Sequence, residues 1–262
     1  MAGEAVRFDI DGVVAVVTID RPERRNAVNR SCAEALIEAF RRFDADDSLS
    51  VAILTGAAGT FCAGADLKAV AEGRGLEVTE QGEGPMGPTK MQLGKPVLAA
   101  IEGHAVAGGL ELALWCDLRI AARDAVLGVF NRRFGVPLID LGTVRLPRLI
   151  GQGRALDLVL TGRAVGAEEA LAMGLVNRVV DPGQALAAAL ELAHQLGTYP
   201  QAGLRNDRLS VLQQWGLTGD QALANEFRLG LATLASGEAV EGAKRFAGGQ
   251  GRHGDQTGPA TS

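Results

Sequence analysis

The sequence predicts an α/β fold, and two observations carry that prediction. Val51–Thr55 and Val97–Ile101 are short apolar runs bounded by turn residues, as expected of parallel strands that are buried on both faces. Each run is followed by a glycine-containing turn and then by a helix-like segment. Because strand, turn, helix and strand recur in this order, the pattern is typical of βαβ units.

The N-terminal part predicts a β-hairpin followed by a helix. Val6–Ile10 and Val13–Ile19 are rich in β-forming residues, and the Asp11-Gly12 pair between them is a strong hairpin signal. A polar loop follows, and Asn29 or Ser31 is expected to cap the next helix.

The region after the first apolar run contains two unlike segments. Residues 56–65 are rich in glycine and alanine and predict a turn, with a short helix beginning near Asp66. In residues 72–88, five glycines alternate with four glutamates. Such a composition buries little apolar surface, so we predict a mobile loop there.

The stretch Gly103–Cys116 follows the second apolar run directly. Its glycine pair, Gly108 and Gly109, opens a helix that is apolar on every side and is therefore expected to be buried. Glu111 lies in the first turn, where a buried carboxylate needs a partner or a proton. Free N–H groups at a helix N-terminus favour negative charge, so this stretch predicts a site that stabilises an oxyanion and moves a proton beside it.

The rest of the chain predicts further strands and then a series of helices. Further strands are expected at residues 117–121, 125–129 and 175–180. Helices are expected at residues 145–150, 154–161, 167–173, 184–196, 204–212 and 220–234. We divide the chain into a core at residues 1–198, a C-terminal helical region at 199–247 and a polar, glycine-rich tail at 248–262 that we predict to be disordered.

Composition excludes several classes of protein. The 262 residues carry a net charge of −5, which gives no basic surface for nucleic acid. The apolar runs are shorter than the ~20 residues of a membrane-spanning helix, and the first residues do not resemble a secretory signal. The 3 cysteines and 3 histidines lack metal-ligand spacing, so we expect reduced thiols, no metal and a cytoplasmic protein.

Two glycine turns together carry a resemblance to a known family. Phe61–Lys68 (FCAGADLK) and Glu102–Asp117 (EGHAVAGGLELALWCD) each follow a buried strand, and the pair resembles the enoyl-CoA hydratase/isomerase (crotonase) family. Arg21-Pro22, Asn26–Asn29, Thr161–Arg163 and Ala170–Val180 match further landmarks of that family, so the resemblance covers about residues 6–247.

The resemblance implies a ClpP-like spiral of ββα units with a C-terminal helical region used for trimerisation. The ligand would be an acyl-CoA thioester, with coenzyme A as part of the substrate, no separate cofactor, and a homotrimer or dimer of trimers as the assembly. The family's oxyanion-hole N–H groups fall on Ala65 and Gly108. Its coenzyme A contacts fall on the backbone of Ala27, Ala63, Asp66 and Leu67, with Arg24, Arg25 and Lys68 as candidates for the phosphates.

The catalytic positions depart from the family pattern. Family hydratases use two glutamates: Glu111 matches the first, but Asn131 stands in place of the second, and an amide does not exchange a proton at neutral pH. Asp140 is the nearby acid, one residue from the place of an acid in some family isomerases and dehalogenases. It serves either as the missing acid or as the cap of the helix beginning near Gly142.

The reaction that we expect is therefore enolate chemistry on an acyl-CoA, typically hydration of a 2-enoyl-CoA in fatty acid metabolism. Glu111 would be the general acid/base, assisted by Asp140 or by a water that Asn131 holds. One alternative is a double-bond isomerase that needs a single carboxylate. The other is a catalytically silent protein that only binds acyl-CoA.

Overall fold

The computed structural model describes residues 5–250, and its larger sheet has six strands. In spatial order these are β1 (Val6–Asp11), β2 (Val14–Ile19), β3 (Val51–Gly56), β4 (Val97–Ile101), β6 (Leu118–Ala122) and β9 (Arg178–Val180). The β1–β2 pair is antiparallel, as the hairpin signal predicts, and the other neighbours are parallel. The last strand is shorter than the predicted 175–180 run.

A second, smaller sheet holds three short strands. They are β5 (His104–Val106), β7 (Val126–Gly128) and β8 (Val165–Gly166), with β5 parallel to β7 and β8 antiparallel to it. The strands β5 and β8 are not predicted from the sequence, because two or three residues are too few to show an alternation of apolar and polar side chains.

Ten helices complete the described part of the chain. They are α1 (Arg30–Ala45), α2 (Leu67–Ala71), α3 (Gly108–Trp115), α4 (Gly142–Ile150), α5 (Gln152–Thr161), α6 (Ala167–Ala172), α7 (Ala185–Gly197), α8 (Gln201–Gln213), α9 (Gly219–Ala235) and α10 (Glu238–Ala247). Asn29, rather than Ser31, caps α1 by accepting a hydrogen bond from Cys32 N at 3.0 Å. α10 lies in the predicted helical region at 199–247, although the sequence indicates no separate helix after residue 234. No helix within residues 5–250 is long and apolar enough to cross a bilayer.

Both faces of the large sheet are buried, which explains why its central strands are continuous apolar runs. Along β2, Ala15, Val17 and Ile19 join a core that includes residues of α1 and α3. Val14 and Val16 point to the opposite face and join a second core with α7. The result is a layered arrangement in which α3 lies inside the molecule.

Residues 72–88 differ from the prediction at their C-terminal end. The glycine- and glutamate-rich part is largely exposed, but Pro85–Thr89 is buried, with Met86 only 1% exposed. The expectation that this segment buries little is therefore wrong for its last residues. After the last glutamate, Glu83, the sequence carries no charge until Lys90, and that neutral run is the part that packs inside.

The C-terminal helices α8, α9 and α10 lie within the predicted helical region at 199–247, whose boundaries stay a prediction. They bury few side chains of their own, since Leu229 is the one residue of these three helices classed as buried. Residues 248–250 follow α10 as a turn. Residues 251–262 of the predicted disordered tail lie outside the described residues.

Candidate active site

The N-terminus of α3 is built on a strained turn. Ala107, the residue before the helix, has a φ of 54°, which is unusual for a residue with a side chain. Its N–H donates to Gly128 O of β7 at 2.9 Å, so the smaller sheet holds the turn in place. Gly108 and Gly109 then begin a helix whose first seven residues are all buried, as the apolar sequence predicts.

The first glycine turn, at residues 62–65, packs directly against this helix end. Cys62 N donates to His104 O at 2.8 Å, and Val106 N donates to Cys62 O at 3.1 Å. Gly64 has a φ of 95°, and a Cβ placed on it would lie 3.0 Å from Gly108 N. The two turns that the sequence analysis paired are therefore adjacent in space.

This contact places Gly64, the residue before Ala65, against the backbone nitrogen of Gly108. Gly108 is buried and Ala65 is half-buried. Neither N–H has an acceptor among the described residues. Unsatisfied backbone donors at a buried helix end need a partner, and a ligand oxygen with developing negative charge is well suited to them.

Glu111 lies one turn into α3 and is 1% exposed. Its Oε1 accepts hydrogen bonds from Asp140 N and Gly142 N, both at 3.0 Å. Burial raises the pKa of Glu111 to about 8, and the nearby Asp140 adds to the rise, whereas the two N–H donors and Arg145 oppose it. The carboxyl group therefore carries a proton over much of the neutral range.

Asp140 is a second buried acid, 3% exposed. Its Oδ1 accepts hydrogen bonds from Met86 N at 2.9 Å and from the Thr89 hydroxyl. Burial is also the main cause that raises the pKa of Asp140 above its ordinary value. The interpretation of Asp140 as a helix cap is wrong: α4 begins after Leu141, which has a φ of 65°, and no side chain caps it.

Arg145 is the cation beside the two acids, and the sequence analysis did not identify it. Its guanidinium donates to Thr89 O at 2.7 Å and to Asp140 O at 3.2 Å. It lowers the pKa of both Glu111 and Asp140, which are otherwise raised by burial. The position of Arg145 on α4, one turn after Asp140, is the signal that could have indicated it.

Asn131 lies in a short 3-10 helix, Phe130–Phe134, that follows β7. It is 3% exposed. Its Nδ2 donates to Pro137 O at 3.3 Å, while its Oδ1 has no hydrogen-bond partner within residues 5–250. A buried acceptor without a donor costs free energy, so this oxygen is available to a ligand or a water. Asn131 and Asp140 thus lie near the two ends of one connecting loop.

The candidate coenzyme A residues lie on two loops that are joined by backbone hydrogen bonds. Val28 N donates to Gly64 O at 2.8 Å, and Ala63 N donates to Arg25 O at 3.1 Å. The loops therefore lie side by side next to the Ala65 N–H. Of the residues predicted to contact coenzyme A, Ala27 is buried, Ala63 is half-buried, and Arg24, Arg25 and Lys68 are exposed.

Asp66 and Leu67 differ from each other in their surroundings. Asp66 is buried, accepts from Ala69 N at 3.2 Å as the cap of α2 and pairs with Arg21 at 3.0 Å. Its carboxylate therefore has a structural role, which is compatible with a backbone contact to a ligand. Leu67 is 39% exposed beside it.

Asn26 joins the same loops, and the sequence analysis did not single out its structural role. It is fully buried with a φ of 55°. Its Nδ2 donates to Ala57 O at 2.9 Å and to Thr60 O at 2.5 Å, and its Oδ1 accepts from Arg21 N at 2.9 Å. A polar side chain that satisfies three backbone groups holds the loop at 21–28 against the turn at 57–60.

Comparison with known proteins adds independent information. Residues 9–251 match the family described as enoyl-CoA hydratase/isomerase. The chain is 35% identical over 243 residues to enoyl-CoA hydratase EchA19 of Mycobacterium tuberculosis, covering 90% of this chain and 91% of that protein. It is 33% identical over 241 residues to 2,3-dehydroadipyl-CoA hydratase of Escherichia coli, covering 89% and 91%. The crystal structure of enoyl-CoA hydratase EchA1 from Mycobacterium marinum superposes with a TM-score of 0.88 at 39% identity, covering 94% of this chain and 96% of that chain.

Proposed function

Because the chain belongs to the enoyl-CoA hydratase/isomerase family, we propose that it hydrates 2-enoyl-CoA thioesters with Glu111 and Asp140 as its two carboxyl groups. The predicted crotonase fold is confirmed by the structural match to an enoyl-CoA hydratase. The assignment of the individual residues is our proposal, and it rests on the geometry at the N-terminus of α3.

The observation that carries the proposal is a buried pair of acids beside two free N–H donors. Glu111 lies one turn from Gly108, and the backbone of Asp140 donates to the Glu111 carboxyl group at 3.0 Å. Burying two carboxyl groups together costs free energy, and buried acids with shifted pKa values are typical of functional sites. Hydration takes a proton from water and adds one to carbon, and two acids can divide these tasks.

The two acids have different surroundings, although burial raises the pKa of both. Glu111, with a pKa of about 8, holds a proton at neutral pH. Burial raises the pKa of Asp140 above its ordinary value, and this rise is opposed by two hydrogen bonds at one oxygen and by the charges of Lys90 and Arg145. Pairs of acids whose environments differ in this way commonly divide the roles of acid and base.

The proposed reaction begins when the thioester carbonyl oxygen accepts hydrogen bonds from the N–H groups of Ala65 and Gly108. Asp140 accepts a proton from a water as its oxygen bonds to C3, and the electron pair of the double bond forms the enolate. Glu111 then delivers its proton to C2 and the carbonyl group re-forms. Proton exchange with solvent returns Glu111 to its protonated form and Asp140 to its ionised form. One N–H donor to such an oxyanion is worth about 10²–10³ in rate.

Asn131 has a supporting role in this proposal. Its unpaired Oδ1 accepts a hydrogen bond from the attacking water and so orients it, without exchanging a proton itself. The alternative is a double-bond isomerase, in which Glu111 alone carries a proton between two carbons. The absence of a glutamate at position 131 is the observation that favours the alternative.

The decisive experiment measures hydration of crotonyl-CoA by wild-type, Glu111→Gln and Asp140→Asn enzymes. Both variants keep the shape of the side chain and an acceptor oxygen, so we expect unchanged affinity for butyryl-CoA and a fall in kcat of about 10²–10⁴. Asp124→Asn, at an exposed position, is the matched control. Wild-type kcat in Asp140→Asn would exclude Asp140 as the second acid.

Deuterium exchange at C2 separates the remaining possibilities in the same samples. Exchange without hydration indicates an isomerase, whereas tight binding of butyryl-CoA without exchange indicates a silent acyl-CoA-binding protein. As a further check, Asn131→Glu should raise hydration if Asp140 is not already supplying the second acid. No gain is expected under the present proposal.

Assembly and location are part of the same proposal. We propose a homotrimer, alone or paired as a dimer of trimers, in the cytoplasm. The support for assembly is the row of exposed apolar side chains on α9 at Leu223, Phe227 and Leu231, which are 67%, 67% and 50% exposed. Patches of this kind on a soluble protein mark contacts with a partner. The number of copies and the location follow the family resemblance.

A further inference from the structure

Met86 is a buried side chain that the proposed chemistry does not use. Its thioether lies against the start of α3: a Cβ built on Gly108 would be 2.6 Å from Met86 Sδ and 2.9 Å from its Cε. In a helix, Cα–Cβ bonds tilt toward the N-terminus, which is also the end to which the first N–H groups point. Met86 therefore borders the space that a ligand on the Gly108 N–H would enter.

The position of Met86 is fixed by its neighbours on both sides. Its own N–H donates to Asp140 Oδ1 at 2.9 Å. Gly87, with a φ of 101°, packs so closely on α1 that a Cβ there would lie 3.0 Å from Ala33 O. The segment is thus held between α1 and the acid pair.

Thr89 is the second anchor of this segment. Its hydroxyl donates to Asp140 Oδ1, and its carbonyl accepts from Arg145 at 2.7 Å. Because Asp140, Thr89 and Arg145 are all buried or half-buried, this network anchors the backbone of residues 86–89 to Asp140 and Arg145. The side chain can change rotamer, but the backbone that carries it is anchored.

We infer that Met86 sets the width of the acyl site beside the thioester and selects 2-enoyl-CoA substrates that have no substituent on C2. This inference rests on the proposed use of Ala65 and Gly108 as the oxyanion site. With the carbonyl oxygen on those donors, C1 and C2 are the acyl atoms nearest to Gly108, and Met86 is the side chain against them. A methyl group on C2 must displace the thioether, whereas a hydrogen does not.

The test compares crotonyl-CoA with 2-methylcrotonyl-CoA, which differ by one methyl group on C2. We expect Met86→Ala to raise the ratio of kcat/KM for the branched over the unbranched substrate by about tenfold or more, since one methyl group in a fitted pocket is worth about 10–200-fold. Met86→Val, a smaller change that leaves less empty volume, should raise the ratio to a lesser degree. Met91→Ala, the same truncation five residues further on, is the matched control and should keep the wild-type ratio.

A binding experiment separates this inference from the proposed hydration. Calorimetry with butyryl-CoA and 2-methylbutyryl-CoA compares the affinity for an unbranched acyl group with that for a group branched at C2, and neither ligand can be hydrated. If Met86→Ala shifts the binding preference although no substrate is hydrated, the inference holds and the proposed reaction is wrong. If hydration proceeds and neither ratio changes by more than about twofold in Met86→Ala or Met86→Val, Met86 does not set the width. Failure of the wild-type protein to bind any of these thioesters would overturn both.

Discussion

At the scale of single residues, Glu111 shows how burial and hydrogen bonding act on one carboxyl group in opposite directions. Two backbone N–H groups stabilise its charged form, yet removal from water has the larger effect, and the pKa rises to about 8. An exposed glutamate loses its proton near pH 4.5. The fold therefore holds a proton on Glu111 that the unfolded chain releases, and this makes stability depend on pH.

The first prediction concerns that dependence in Glu111→Gln. Between pH 4.5 and 8 the folded wild-type protein binds more protons at position 111 than the unfolded chain, so its stability falls as pH rises. Glutamine does not titrate. We therefore expect the free energy of unfolding of Glu111→Gln to rise relative to wild type by a few kcal/mol across this range, at about 1.4 kcal/mol per pH unit at most. Urea unfolding at several pH values measures the difference.

The control for this experiment is Glu23→Gln at an exposed position. Comparison of variants at each pH cancels the titration of all shared groups. A stability difference between wild type and Glu111→Gln that stays constant from pH 4.5 to 8 would contradict the raised pKa.

At the scale of elements, the loops that precede α1 and α2 depend on a few side chains that replace regular hydrogen bonding. Asn29, one of the two cap candidates in the sequence, caps α1, because its side-chain oxygen satisfies a free N–H of the first turn. Asn26 instead links loops that are 31 and 34 positions apart in the chain. Local sequence patterns predict the cap of α1, but they do not predict the long-range hydrogen bonds of Asn26.

The second prediction compares Asn26→Ala with Asn29→Ala. Alanine at position 26 leaves three partly buried backbone groups without partners and must adopt a φ of 55°, so we expect a loss of stability of about 2–4 kcal/mol. Loss of the cap at Asn29 should cost only about 1 kcal/mol. Thermal and urea unfolding measure both.

The same pair of variants tests the coenzyme A loop. Because Asn26 holds the loop at 21–28 beside Ala63 and Ala65, Asn26→Ala should also raise KM for crotonyl-CoA at a temperature where it remains folded. Asn29→Ala should change KM less. Equal KM values in the two variants would show that the loop position does not depend on Asn26.

At the scale of the whole molecule, the C-terminal helices are fastened to the core by few contacts. Arg208 of α8 pairs with Asp117 at 2.8 Å and donates to Leu93 O at 2.8 Å. Most large apolar side chains of α9 remain exposed, although helices gain most of their stability from packing. This arrangement is expected if the helices pack against another copy of the chain.

The third prediction tests that assembly with Phe227→Glu. A charge in the centre of the apolar row on α9 should disfavour its burial between copies. We expect light scattering after size-exclusion chromatography to give about three or six times the chain mass for wild type and a smaller mass for Phe227→Glu. Ala232→Glu introduces the same charge at an exposed position about 140° away from Phe227 around the helix and is the matched control. An unchanged mass for Phe227→Glu would place the interface elsewhere.

Much of the architecture could be predicted because it depends on residues that are close in the chain. The continuous apolar runs indicated buried parallel strands, and the first hairpin followed from one turn. The strands β5 and β8 have only three and two residues, which is too short to show a hydrophobic alternation in the sequence. The burial of Pro85–Thr89 is not evident from the sequence, because the residues just before this segment are rich in glycine and glutamate and predict an exposed loop.

The sequence by itself determined the N-terminus of α3: two glycines and an acid three residues after Gly108 lie within one helical turn, so their relation is fixed by helix geometry. Only the tertiary structure decided what surrounds them. Asp140 is hydrogen-bonded to Met86, which is 54 positions away in the sequence, and to Glu111, which is 29 positions away. Such contacts depend on how α4 and the buried residues 85–89 pack on α3. Local spacing carries no information about contacts at that separation, because they are set by the burial of side chains throughout the core.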